Sequence, residues 1–193
     1  MRVSKEVMAD HRTQILDAAA QLFRARGFEG VSVAELMKQA GLTHGGFYGH
    51  FSSKEDLIAR ALERLLLQST KKWENVMEQA DGDPIVAFAK SYLGMAHRSG
   101  EGCLFPTLGA DLARLPADTR VNFAKPLSSF FESIAKFFRG KSHKDRRQAS
   151  IVAFASLIGA VVLAQAVEDK SFSNEMLEAV SASLAKQQRL STG

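Results

Sequence analysis

Residues 41–57, GLTHGGFYGHFSSKEDL, hold four glycines, and their reading decides the fold. Gly41 can supply a left-handed turn after a helix, Leu42 then points back to a core, and Thr43 is placed to cap a third helix over about 44–50. Just upstream, Ser32 and Glu35 form a Ser-x-x-Glu capping box, which predicts a two-turn helix that stops before Gly41. Helix, tight turn and helix at this spacing predict a helix-turn-helix. Phe47 and Phe51 stand one turn apart and define the buried side, so at about 100° per residue positions 45 and 49 face outward, and both are glycine.

His44 and Tyr48 flank that outward strip with hydrogen-bonding edges. Gly45, Gly46 and Gly49 carry no side chain, so the backbone of such a helix can lie close to base edges and phosphates in a DNA major groove. A flexible loop is the other reading of the same glycines.

Working outward, apolar residues recur at three-to-four spacing along nearly the whole chain, without strand alternation or an internal repeat. The expectation is an all-α fold of about nine helices. The first covers 10–26, with Ile15, Leu16, Ala19, Leu22 and Phe23 on one stripe and Gly27 at its end. A long helix over 54–79 follows the helix-turn-helix, ADGDP at 80–84 marks a boundary, and further helices fit 85–97, 104–114, 117–139, 145–168 and 173–188. This divides the chain into a DNA-binding domain over 1–53 and a larger helical domain over 54–193.

With 193 residues, 46% hydrophobic and 24% charged, the chain can bury a sizeable core. A single cysteine and an N-terminus without an apolar run point to a reducing, cytoplasmic setting. Net charge is a weak guide: residues 1–60 carry eight Lys/Arg against seven Asp/Glu, a net of +1. The densest basic run, RGKSHKDRR at 139–147, reads as a solvated connector.

From Asp10 to Ile58 the sequence resembles the DNA-binding domain of the tetracycline-repressor (TetR) family, through Gly-Leu-Thr, Phe-Tyr-x-His-Phe and Ser-Lys-Glu-x-Leu in that order. The resemblance covers about a quarter of the chain and is specific there. It implies a homodimeric repressor that binds a pseudo-palindromic, double-stranded operator and is released by a small-molecule effector. It also implies phosphate contacts from Ser32, Thr43, Tyr48, His50 and Lys54, and base-edge contacts near Ala34, His44, Gly45 and Gly49. For His50 a structural role bridging helices three and four is an equal reading; for Lys54 a solvated first-turn lysine is the other. Glycine at both 45 and 49 departs from relatives with larger side chains there. Discrimination is therefore expected from His44, the methyl of Ala34, DNA shape and an N-terminal arm bearing Arg2 or Lys5.

In the remainder, Trp73, Met77, Phe88, Tyr92, Met95, Phe105, Leu108, Phe123, Leu127, Phe130, Phe131 and Ile134 supply aromatic and Met surface, with ordinary core as the plain reading. By the resemblance a subset, Trp73, Met77, Phe88, Tyr92, Phe105, Leu108 and Phe130, lines a cavity for an apolar or aromatic effector. Cys103 follows Gly102 in a segment similar to those of electrophile-responsive members; the alternatives are an accessible sensor or a buried, inert thiol. His97 and Arg98 lie nearest in sequence, while Glu101 opposes a thiolate.

Residues 149–167 are uncharged over 19 positions, long enough to suggest a membrane span. Six alanines and the small residues Ser156, Ala160 and Ala164 at four-residue spacing instead suit close helix packing. By the resemblance this helix belongs to a four-helix dimer interface, with Ile151, Phe154, Ile158 and Val162 as the expected contacts. No metal-ligand spacing, phosphate loop or nucleophile elbow is present, so neither an enzyme nor a metal or other cofactor is expected. A helical dimeric adaptor without DNA binding is the alternative, and it gives no reason for THGGFYGHF.

Overall fold

The computed structural model describes residues 5–94 and 103–190. Arg2, Met95 and the residues expected to flank Cys103 (His97, Arg98, Glu101 and Gly102) lie outside the described residues. The described chain forms eight α-helices and one 310 helix, with no strand. These are α1 (Lys5–Arg26), α2 (Val33–Gln39), the 310 helix (His44–Gly49), α3 (Lys54–Glu78), α4 (Pro84–Tyr92), α5 (Leu104–Arg114), α6 (Ala117–Ala135), α7 (His143–Gln165) and α8 (Lys170–Leu190). The first helix starts five residues earlier than its apolar stripe suggests, because Lys5 to Asp10 extend it as a largely exposed turn and a half.

Two compact units result. One comprises residues up to Leu66 together with Thr107–Pro126; the other comprises Leu67–Pro106 together with residues from Leu127 onward. The expected division falls at 53/54, where the long helix starts, whereas α3 buries Leu57, Ile58, Ala61, Leu62 and Leu65 within the first unit and Trp73 and Met77 within the second. One continuous helix thus contributes to both cores, which a linker signal in sequence does not reveal.

In the first unit, α1 and α2 pack on each other and α2 packs on the 310 helix. Ile15, Ala19, Phe23, Phe28, Leu36, Met37, Phe47 and Phe51 form its apolar centre. Each Ile, Leu, Met or Phe side chain among them contributes about 1.5–3 kcal/mol through burial. In the second unit, α8 packs against α7 and α4. Asp83 caps α4 by accepting from the backbone of Ile85 and Val86, and Ser142 with Asp145 makes a second capping box at α7.

Candidate nucleic-acid interface

The turn that presents the 310 helix is built by local chemistry. Ser32 Oγ accepts from the Glu35 backbone N–H while Glu35 Oε2 accepts from the Ser32 N–H, as the capping box requires. These bonds, with Arg26 close by, hold the Glu35 carboxyl down at about 2. At the other end of α2, Gly41 has φ +71°, the Leu42 N–H donates to Met37 O and the Gly41 N–H to Lys38 O. This is a Schellman closure, in which glycine bears the left-handed conformation that a side chain would disfavour.

The next segment departs from expectation. Residues 44–49 wind as a 310 helix, not an α-helix, and Thr43 sits at the N-cap without a capping hydrogen bond from its hydroxyl. Three glycines in six residues remove most of the α-helical preference, and so short a run tolerates the tighter winding. The inward side is as the spacing predicts: Phe47 is fully buried, Phe51 is 2% exposed, and their rings lie 5.8 Å apart.

Ser32, Ala34, Thr43, His44, Gly45, Tyr48 and Gly49 are exposed, and His50 and Lys54 are half-buried. Tyr48 is 69% exposed although its ring edge meets Phe47 at 5.2 Å. A methyl group built on Gly45 or Gly49 would meet nothing within 4 Å, and neither glycine has a positive φ. The protein's own packing therefore places no demand for glycine at either position. The Ser32 hydroxyl also lies 3.0 Å from Glu35 Oε2, so its hydrogen bonding is already engaged by the cap.

His50 follows the 310 helix. Its carbonyl accepts from Arg12 Nη1, and its ring meets that of His11 edge-on at 6.0 Å. Partial burial first, then His11 and Arg12, lower its pKa from the ordinary imidazole value, which favours the neutral ring. The backbone tie runs to α1 and not between the third and fourth helices as the structural reading expected, and the ring is partly accessible. Arg12 and His11 escaped the sequence reading: they lie 38 and 39 positions away and fall in no motif.

In the second unit the aromatic residues pack against one another. Trp73 lies 5.2 Å from Phe88 and 5.4 Å from Tyr92, and Phe88 and Tyr92 are 5.9 Å apart. Trp73, Met77, Phe88, Tyr92 and Phe130 are buried, and Phe105 is half-buried. Leu108, grouped with them on sequence, is buried in the other compact unit. Cys103 is 5% exposed, as the buried alternative expects and the accessible one does not. Burial first, and then the nearby Cys103, push the Tyr92 hydroxyl pKa upward.

One interface residue needs correction. Phe154 is 2% exposed and sits among the rings of Phe88, Tyr92, Phe105, Phe130 and Phe131, at 4.7 to 6.4 Å, instead of facing outward. On α7 the inward row is Ser150, Ala153, Phe154, Leu157, Ala160, Val161 and Ala164. Ile151 and Val162 are exposed at 39% and 42%, and Ile158 is half-buried. Val152 and Leu163, exposed at 47% and 58%, belong to that outer surface too. By length and composition α7 could cross a membrane, yet seven of its residues are buried within the fold.

Residues 15–61 match the family described as "Bacterial regulatory proteins, tetR family". The HTH-type transcriptional repressor NemR of Escherichia coli K12 is 31% identical over 123 residues, which cover 61% of this chain and 62% of NemR's length. The chain thus spans less than two thirds of that relative. The crystal structure of reduced E. coli NemR superposes with a TM-score of 0.75 at 27% identity, covering 91% of this chain and 95% of that one. A similar fold, at 17% identity and a TM-score of 0.65, occurs in the regulator FadR of Bacillus subtilis, solved with stearoyl-CoA; it covers 88% of this chain and 97% of that one. Residues 15–61 are thus a domain of the tetR family of bacterial regulatory proteins, and the described chain shares the helical fold of reduced NemR.

Proposed function

We propose that the protein is a cytoplasmic, ligand-responsive transcriptional repressor that binds a pseudo-palindromic operator as a homodimer. The observation that carries this reading is the glycine strip of the 310 helix: Gly45 and Gly49 are exposed, unstrained and bordered by open space. Because the fold gives no reason for glycine there, the close approach of DNA does. Thr43, Tyr48, His50 and Lys54 hold phosphates on either side of the strip, and Ser32 does so from the start of α2 when its hydroxyl turns from Glu35 to the phosphate. His44 and the Ala34 methyl reach base edges, with Gly45 and Gly49 lying against them. DNA-contacting residues come from 1–53, while residues 54–193 serve effector binding and dimerisation.

The exposed apolar residues of α7, Ile151, Val162 and the half-buried Ile158, meet their copies across the two-fold axis, joined by Val152 and Leu163. In such a dimer the two 310 helices enter successive major grooves about one helical turn apart. A small apolar, aromatic or electrophilic effector acts at the aromatic group of Trp73, Met77, Phe88, Tyr92, Phe105 and Phe130, near Cys103. Binding there favours a dimer that does not fit the operator.

Fluorescence anisotropy with the DNA upstream of the protein's own gene, over a salt series, tests this for the wild type and Tyr48→Ala. Saturable binding that weakens with salt and is lost in the variant is the expected result. No binding there or to random-site pools returns the adaptor reading.

A further inference from the structure

We propose that Arg12 is a positioning residue for the 310 helix, fixing its C-terminal end from α1 without itself touching DNA. Its Nη1 donates to the carbonyl of His50, the residue that ends the helix. Its guanidinium carbon lies 4.5 Å from the centre of the Phe51 ring. One side chain therefore grips the backbone at His50 and the face of the next residue, 38 positions away in sequence. An arginine donating to the last carbonyls of a helix closes groups that have no partner inside the helix. The planar guanidinium suits this double role in a way an ammonium does not.

The need for such a grip follows from the helix itself. Gly45, Gly46 and Gly49 provide little helical preference, and Thr43 gives no side-chain cap at the start. Phe47 and Phe51 anchor one side by burial, but burial of a ring leaves the pitch and end of a six-residue helix loosely set. The hydrogen bond from Arg12 fixes that end, and with it the spacing between Tyr48 and the turn before Lys54.

The inference rests on the reading of this helix as the DNA-contacting element, and one set of titrations separates the two. Operator and random-sequence DNA are titrated across a salt series with full-length wild type, Arg12→Met and Arg12→Lys, each checked for folding by circular dichroism. Loss of one charge-assisted hydrogen bond predicts about a tenfold loss of operator affinity in Arg12→Met. Arg12→Lys keeps the charge but not the planar fork, and loses about threefold. Neither change alters the salt slope or the affinity for random DNA. A direct phosphate contact would instead lower the slope by about one and weaken both DNAs alike, and that result overturns the proposal. So does wild-type affinity for the operator in either variant that folds; if Arg12→Met unfolds, Arg12→Lys decides alone. Failure of the wild type to bind the operator removes the functional reading and this inference together.

Discussion

The carboxylate of Asp111 accepts a hydrogen bond from the Phe28 backbone N–H at 3.3 Å, so a residue of α5 holds the turn between α1 and α2. Gly27 makes room for it. Its φ is +71°, and a methyl group added there would stand 2.5 Å from Asp111 Oδ2. Gly27→Ala combines left-handed strain of about 1–2 kcal/mol with displacement of that carboxylate. Urea denaturation is expected to show destabilisation of that order, whereas Gly82→Ala, at a glycine whose Cβ meets nothing and whose φ is not positive, changes stability by less.

Gly45→Ala and Gly49→Ala are expected to separate folding from DNA binding. Each places a methyl group in open space within a helix, so stability stays constant or rises by up to about 1 kcal/mol. Operator affinity falls by about tenfold or more as the methyl meets the groove floor, the loss of a good base contact being about 1–3 kcal/mol. Thermal melts and anisotropy on the same samples check both. Unchanged operator binding in both variants contradicts the close-approach reading.

Phe154 and Leu163 stand on opposite sides of α7, and their substitutions should fail in different ways. Phe154→Ala removes the ring at the centre of the aromatic cluster and is expected to cost about 3–5 kcal/mol, read by denaturant unfolding. Leu163→Glu, on the exposed face, leaves helicity intact but shifts sedimentation from dimer towards monomer. Retention of the dimer would move the interface away from this face of α7.

The capping box at α2 gives a pH dependence of known sign. The Glu35 carboxyl has its pKa lowered from 4.5 to about 2 by the Ser32 backbone N–H, then by its hydrogen bonds to Arg26 and the Ser32 side chain. A lowered folded-state value means the stabilisation is fully present above pH 4.5 and is lost as pH falls towards about 2. Carbon-detected NMR titration should place the Glu35 midpoint well below that of an exposed glutamate, and Arg26→Ala should move it up.

Effector response can be probed at Cys103. The thiol is buried beside Tyr92. Tyr92→Phe keeps the ring within the cluster and removes the hydroxyl beside Cys103, so the thiol should react faster with a thiol-specific reagent, by a few-fold. An unchanged rate would show that burial alone protects it.

What the sequence determined by itself was the helix-turn-helix. Ser32 with Glu35, Gly41 with Leu42, and Phe47 with Phe51 act over three to five residues, and interactions so local are fixed by spacing. The same short range explains why an α-helix was expected over 44–50: motif spacing locates a helix, while the glycine content loosens its winding to 310. The tertiary structure alone decided which face of α7 turns inward. That helix is apolar on all sides, so periodicity offers no face to choose, and Phe154 goes where five other rings meet it. It alone paired Arg12 with His50 and Asp111 with Phe28, 38 and 83 positions apart. A hydrogen bond between distant residues leaves no period in the chain, because its partners are brought together only by packing of the helices between them.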